Sequence, residues 1–99
     1  MSLKDAYREK MEARLEEQKA RLELLKAKAK HAVATGKVLA YEELSDADTK
    51  FTDAKARLKE LGATGGEAWH ELKDGMELAW AALSDASTKA ADKFKTNNG

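Results

Sequence analysis

Glu67 and His70 are the residues of this sequence whose types and spacing come closest to a metal site. They are three residues apart, which puts both side chains on one face of a helix, as in the ligand pairs of di-iron helical bundles. Such a centre needs a second pair and two further glutamates that project into a core. A homodimer could supply the second pair. We nevertheless interpret Glu67 as a first-turn carboxylate that favours the helix dipole, and we predict no metal.

The sequence contains no arrangement that is typical of nucleophilic catalysis. A serine or threonine nucleophile needs a histidine and an orienting carboxylate, and neither His31 nor His70 has a serine close in the sequence. The absence of cysteine excludes disulfides, zinc-thiolate sites and thiol nucleophiles. Gly65 and Gly66 lack the preceding strand and following lysine of a phosphate loop. We therefore predict no catalytic residues and no cofactor, and thus a protein that is not an enzyme.

Composition favours long surface helices. The 99 residues include 18 basic and 18 acidic side chains, so that 36% are charged, against about 25% in ordinary globular domains. The net charge of zero gives no general attraction to nucleic acid, and the one basic run, 26–30, offers few phosphate contacts. We predict no nucleic-acid partner. Because no stretch resembles a membrane span or a signal peptide, we expect a cytoplasmic protein.

One apolar stripe at helical spacing extends over the first 61 residues. At 100° per residue its members lie within about 60° of Met11, which predicts one amphipathic helix over about 3–61. A glycine inside a helix costs about 1 kcal/mol relative to alanine. We favour continuity through Gly36 because the residues that follow it offer no side-chain acceptor for a new helix. The stripe consists of Tyr7, Met11, Leu15, Leu22, Leu25, Ala29, Val33, Ala40, Leu44, Ala47, Phe51, Ala54, Leu58 and Leu61.

A glycine-rich segment predicts the end of this helix and the start of another. Gly62 suits a left-handed residue that closes a helix, and Thr64 with Glu67 has the spacing of a capping box. We predict a turn over 62–65, a second helix over about 66–95 and a frayed tail over 96–99, all within a single helical domain.

The second helix contains an 11-residue repeat that begins at residues 65, 76 and 87. Eleven residues make three helical turns, so equivalent side chains return to one face. Together with the end of the first helix they form a predicted helix-packing stripe. Its members are Phe51, Leu58, Leu61, Trp69, Leu72, Met76, Trp80, Leu83 and Phe94.

The run from Ala68 to Leu83 contains Ala-Trp twice, with a leucine three residues after each tryptophan. This run follows a helix rich in lysine, glutamate and alanine, and it resembles a family of small uncharacterised bacterial coiled-coil proteins. The resemblance covers most of the chain, although only the double Ala-Trp segment is distinctive. It implies a helical architecture and a bacterial origin, and it implies no functional residues.

Helix lengths predict association. At 1.5 Å per residue the first helix would be about 88 Å long and the second about 45 Å, so in a coiled-coil hairpin the second covers only the part from about Val33 to Leu61. An exposed self-association seam then remains, which predicts a homodimer; an unidentified protein partner is a further option. The seam consists of Tyr7, Met11, Leu15, Leu22 and Leu25.

These patterns together predict an all-α hairpin with the function of a non-catalytic, self-associating coiled-coil interaction or scaffold protein. Two alternatives stay open. A turn near Gly36 would give a three-helix bundle that covers its own stripes. An amphipathic lipid-surface or stress-protective protein would gain helix on binding. Residues 67–99 carry six acidic groups against four lysines, which makes a membrane surface the weaker alternative.

Overall fold

Three helices make up the fold of the residues that the structure describes, and this fold is all-α. The computed structural model describes residues 2–34 and 38–96, and within these ranges it leaves out the side chains of 31–34, 38–40 and 94–96. Helix α1 spans Leu3–Ala34, α2 spans Val38–Ala63 and α3 spans Trp69–Thr96.

Helices α1 and α2 lie side by side in opposite directions. At one end Lys26 Nζ is 3.0 Å from Asp48 Oδ1, and at the other end the side chain of Arg8 lies against the backbone of Gly62. Residues near the beginning of α1 thus lie beside residues near the end of α2, and residues near the end of α1 lie beside residues near the beginning of α2. The two helices form an antiparallel pair.

Helix α3 completes the bundle against both. The side chain of Arg57 lies against the backbone of Gly75 in the antiparallel α2–α3 contact. The phenol of Tyr7 donates a 2.8 Å hydrogen bond to Glu77 Oε1, and α1 and α3 run in the same direction. The Cα atoms extend over 52 × 19 × 18 Å, as expected for three helices packed lengthwise.

The prediction of one helix over 3–61 is wrong. In a continuous helix Lys26 and Asp48 would lie about 33 Å apart, whereas their side chains form an ion pair. Folding back buries both halves of the apolar stripe, and each large side chain contributes roughly 1.5–3 kcal/mol when it is buried. The predicted alternative, a three-helix bundle, describes this arrangement. Its turn near Gly36 falls on residues 35–37, which lie outside the described residues.

One hydrophobic core runs the length of the bundle and takes side chains from all three helices. Phe51, Leu72, Trp80 and Ala91 are half-buried against it. The buried members are Tyr7, Met11, Leu15, Leu22, Leu25, Ala29, Leu44, Ala47, Ala54, Leu58, Leu61, Trp69, Met76, Ala79, Leu83, Ala86 and Ala90.

The connection between α2 and α3 differs from the predicted turn over 62–65 and the helix start at 66. Gly62 is helical and packs against Arg8, so α2 continues to Ala63. The left-handed residue is Gly66, with a φ of 64°. Thr64 does not cap α3, because its hydroxyl donates a 2.9 Å hydrogen bond to the carbonyl of Glu60. The predicted capping box is therefore wrong.

Two polar side chains of the core have buried atoms without a hydrogen-bond partner in the described part of the chain. Ser87 is fully buried, and its Oγ is unpartnered, as is Oε1 of the buried Gln18. A buried polar atom without a partner costs about 1–3 kcal/mol. The bundle thus contains two sites at which an apolar side chain would raise its stability.

We expect Ser87→Ala to raise the free energy of unfolding by about 1–2 kcal/mol, because it removes an unpartnered hydroxyl and increases helix propensity. Ser84→Ala is the matched control, since Ser84 lies in the same helix and is half-buried. Thermal and urea denaturation of both variants measure the difference. Equal gains would show that the Ser87 hydroxyl is not costly.

We expect Gly66→Ala to lower the free energy of unfolding by about 1 kcal/mol, because a residue with a Cβ is strained at positive φ. The neighbouring Gly65 is an internal control. A Cβ on either glycine meets open space, but only Gly66 has a positive φ. Urea denaturation of Gly66→Ala and Gly65→Ala compares them, and an equal loss in both would contradict this explanation.

Candidate interaction surface

The predicted self-association seam lies inside the bundle. Its five members, Tyr7, Met11, Leu15, Leu22 and Leu25, are each at most 8% exposed. The expectation that they remain exposed is wrong, because α2 and α3 together cover the full length of α1. Contacts with another chain must therefore use other side chains.

The predicted helix-packing stripe follows the interior of the same bundle. Leu58, Leu61, Trp69, Met76 and Leu83 are buried. Phe51, Leu72 and Trp80 are half-buried against the core. The side chain of Phe94 lies outside the described residues.

Tyr7 anchors the contact between α1 and α3. Its ring centroid is 6.2 Å from that of Trp69, and the ammonium group of Lys73 lies 5.2 Å from the ring centre. Burial, followed by the hydrogen bond to Glu77, raises the pKa of the Tyr7 phenol well above its ordinary value. The phenol is therefore neutral at physiological pH and acts as a hydrogen-bond donor.

Glu67 and His70 form a surface pair at the beginning of α3. Their Oε2 and Nε2 atoms are 3.2 Å apart, and the side chain of Glu67 is 92% exposed. The imidazole stacks on the ring of Trp69, with 4.0 Å between the ring centres. Among the described residues, no group of three potential metal ligands of the His, Cys, Asp or Glu type occurs. The geometry is that of a local contact, three residues apart, on the surface where α3 begins.

A long groove lies between the first half of α1 and the second half of α2. Its volume is about 960 Å³. Buried Leu15 and Leu58 and half-buried Phe51 give it an apolar centre, while exposed Ala13 and Ala56 keep its walls low. Its full lining is Arg8, Glu9, Glu12, Ala13, Leu15, Glu16, Lys19, Phe51, Thr52, Lys55, Ala56, Leu58, Lys59 and Gly62.

A second groove, of about 480 Å³, lies between the same two helices near residues 26–30 and 41–48. On α2 the lining positions 41, 45, 48, 52, 55, 59 and 62 recur every three or four residues, which places them along one side of the helix. The two grooves therefore belong to one surface, which we name the α1–α2 face. The second groove is lined by Lys26, Ala29, Lys30, Tyr41, Leu44, Ser45 and Asp48.

Opposite charges stand on the two walls of the α1–α2 face. In the first groove the α1 wall carries three glutamates, Glu9, Glu12 and Glu16, with Arg8 and Lys19 at its two ends, so it is acidic in its middle and in its net charge. The α2 wall carries Lys55 and Lys59. In the second groove the signs are reversed, with lysines on α1 and an aspartate on α2. In both grooves, one wall therefore has a net acidic charge and the opposite wall has a basic one.

Sequence reasoning did not identify this surface because it assigned the apolar stripe of the first 61 residues to a core or to a seam. The available signal was the pair of small residues, Ala13 and Ala56, at exposed positions beside the apolar stripe. A second signal was that Lys55 and Lys59, like Glu12 and Glu16, are four residues apart and so lie on one side of their helix. The two pairs face each other when α1 and α2 pack together.

Comparison with protein-family models, with curated proteins and with solved structures finds no significant match to this chain. The resemblance of the double Ala-Trp segment to small bacterial coiled-coil proteins therefore stays a prediction. None of the helices, over the residues that the structure describes, has a segment both long and apolar enough to cross a bilayer.

We expect Tyr7→Phe to destabilise the bundle by about 1 kcal/mol at neutral pH, because a hydrogen bond to a carboxylate is lost. The raised pKa of Tyr7 means that its contribution is fully present below the ordinary tyrosine pKa of about 10 and is lost as the pH rises further. Wild type should therefore lose more stability than Tyr7→Phe above that pH.

The exposed Tyr41 is the matched control for this measurement. Denaturation of wild type, Tyr7→Phe and Tyr41→Phe between pH 7 and strongly alkaline pH gives the three profiles. We expect Tyr41→Phe to follow wild type. If Tyr41→Phe and Tyr7→Phe gave the same profile, the assigned role of the Tyr7 phenol would be wrong.

Proposed function

We propose that the protein is a non-catalytic, self-associating helical interaction or scaffold protein, and that two copies associate through the α1–α2 face. The observation that carries this proposal is the groove of about 960 Å³ with an apolar centre and charged walls. An apolar centre within a polar rim is the usual anatomy of a protein–protein interface.

The chemistry of the described side chains supports a binding role over a catalytic one. Catalytic groups commonly combine a perturbed pKa with a position in a cleft. The strongest pKa shift in the described part of the chain belongs to Tyr7, which lies in the α1–α3 contact and outside the lining of both grooves. The groove walls carry carboxylates, lysines and one arginine, side chains that are suited to ion pairs with a partner.

The size of the α1–α2 face supports a second copy as the partner. The Cα extents of 52 × 19 Å give one long side of the bundle an area of roughly 1,000 Å², and a standard interface uses about 800 Å² on each partner. The α1–α2 face consists of two antiparallel helices that lie side by side. Two copies of this face can stack on one another, so that the four helices pack as in a four-helix bundle.

We expect size exclusion with light scattering to give twice the chain mass of 10.9 kDa at high concentration and a concentration-dependent return to monomer on dilution. Ala56→Glu places a charged side chain on the face and should raise the dimer dissociation constant at least about tenfold, a change of roughly 1.4 kcal/mol.

Ala81→Glu is the matched control, because Ala81 is also an exposed helical alanine but lies on α3, outside the lining of both grooves. It should dimerise as wild type does. A compact monomer at every concentration would contradict the proposed function. An extended monomer with little helix by circular dichroism, which gains helix with anionic vesicles, would favour the lipid-surface alternative.

A further inference from the structure

From the charges we infer that the two copies are related by a twofold axis parallel to the helices, so that α1 of each copy packs against α2 of the other. This inference rests on the proposed self-association and specifies its geometry. The acidic wall of α1 then lies on the basic wall of α2 from the second copy. The pairing is reciprocal, as a twofold interface requires.

A face made of two helices can pack against the same face of a second copy in two ways, which differ in the direction of the twofold rotation axis that relates the copies. An axis along the helices places α1 opposite α2 of the second copy at the same level. An axis across the helices places α1 opposite α1 of the second copy, with the direction reversed. Both keep neighbouring helices antiparallel, so the helix dipoles do not decide between them.

The contacts within one chain show which residues lie at the same level. Arg8 lies against Gly62, and Lys26 pairs with Asp48. A residue of α1 and a residue of α2 therefore lie at the same height along the bundle when their residue numbers add up to about 70 to 74. It follows that Glu12 is level with Lys59, and Glu16 is level with Lys55.

An axis along the helices brings opposite charges together at both ends of the face. Because each residue meets the level-matched residue of the other helix in the second copy, the acidic part of α1 meets lysines and its basic part meets an aspartate. Each pair forms twice in the dimer. The new pairs are Glu12 with Lys59 and Glu16 with Lys55. The Lys26–Asp48 ion pairs that already exist within each chain meet as a group of four alternating charges.

An axis across the helices brings like charges together as well as opposite ones. With the helices fully overlapped, the axis passes near residue 19, the middle of α1 (Leu3–Ala34). Lys19 then meets Lys19 of the second copy, and Arg8 meets Lys30. Glu12 meets Lys26 favourably in this arrangement, and on α2 Asp48 meets Lys59, so like and opposite pairs are mixed. The axis along the helices gives opposite charges in each of its level-matched pairs. Charge complementarity across an interface determines register and orientation, and here it selects the axis along the helices.

Reciprocal charge reversal tests this geometry. One variant, Glu12→Lys with Glu16→Lys, has basic residues on both walls of the first groove. The other, Lys55→Glu with Lys59→Glu, has acidic residues on both walls. Each variant alone should dimerise more weakly than wild type, on the order of tenfold or more, because like charges meet at the interface.

An equimolar mixture of the two variants should restore dimerisation. In the mixed dimer the lysines at 12 and 16 meet the glutamates at 55 and 59, and on the other side the wild-type pairs are kept, so every pair is again opposite in charge. With one of the two variants uniformly labelled with ¹⁵N, native mass spectrometry separates the mixed dimer from both homodimers by mass, and its share of the total dimer on dilution gives its relative affinity. Because exposed pairs are screened by salt, the contrast should shrink as ionic strength rises.

Two control variants make the same net charge changes outside the grooves. They are Glu17→Lys with Asp92→Lys, and Lys10→Glu with Lys93→Glu, all at exposed positions. Each control should dimerise as wild type does, and their mixture should contain the statistical share of mixed dimer. Circular dichroism of all variants shows whether the helices are retained.

The outcomes separate this inference from the proposed function. A wild-type protein that stays monomeric would overturn the proposed function. A wild-type dimer that survives both groove charge reversals would overturn the inference and leave self-association in place. If both groove variants lose the dimer and their mixture does not restore it, the pairing of α1 with α2 is wrong and the axis across the helices is supported.

Discussion

Coverage of one continuous apolar stripe is the constraint on which this fold depends. The stripe extends from Tyr7 to Leu61, and no single helix of 28 residues such as α3 can cover an extended helix of that length. By folding back near its middle, the chain lets the two halves of the stripe cover one another, and α3 then closes the third side. The core that results contains almost every large apolar side chain of the described residues, with Leu3, Leu24, Tyr41 and Leu78 as the exposed exceptions.

The helical content follows from the sequence pattern, because 3.6-residue periodicity, abundant alanine and the absence of proline are local properties. The number of helices does not, since it depends on whether the burial gained by folding the stripe onto itself exceeds the cost of ending one helix and starting another. The same limit applies at Gly62 and Gly66. Both suit a left-handed conformation, but Gly62 stays helical and packs against Arg8, and the positive φ falls on Gly66.

The candidate surface was hidden from sequence reasoning for a related reason. An exposed groove depends on which two helices are neighbours, and the lysines of α2 become the opposite wall to the glutamates of α1 only after those helices are paired. Once three helices bury most of the apolar stripe, the features left on the α1–α2 face are its charges, its shape and the apolar centre of its groove. Recognition by this protein is therefore expected to depend on the arrangement of charges along two helices and less on a seam of leucines.

The hydrogen bond between Tyr7 and Glu77 joins residues that are 70 positions apart, and the ammonium group of Lys4 reaches the carbonyl of Thr64, 60 positions away. Closing a loop of that length costs more chain entropy than closing the short connection between α2 and α3. The α2–α3 pair can thus form from local contacts, whereas the docking of the first turns of α1 needs a surface that already exists. The beginning of the chain is consequently the part whose order depends most on the completion of folding elsewhere.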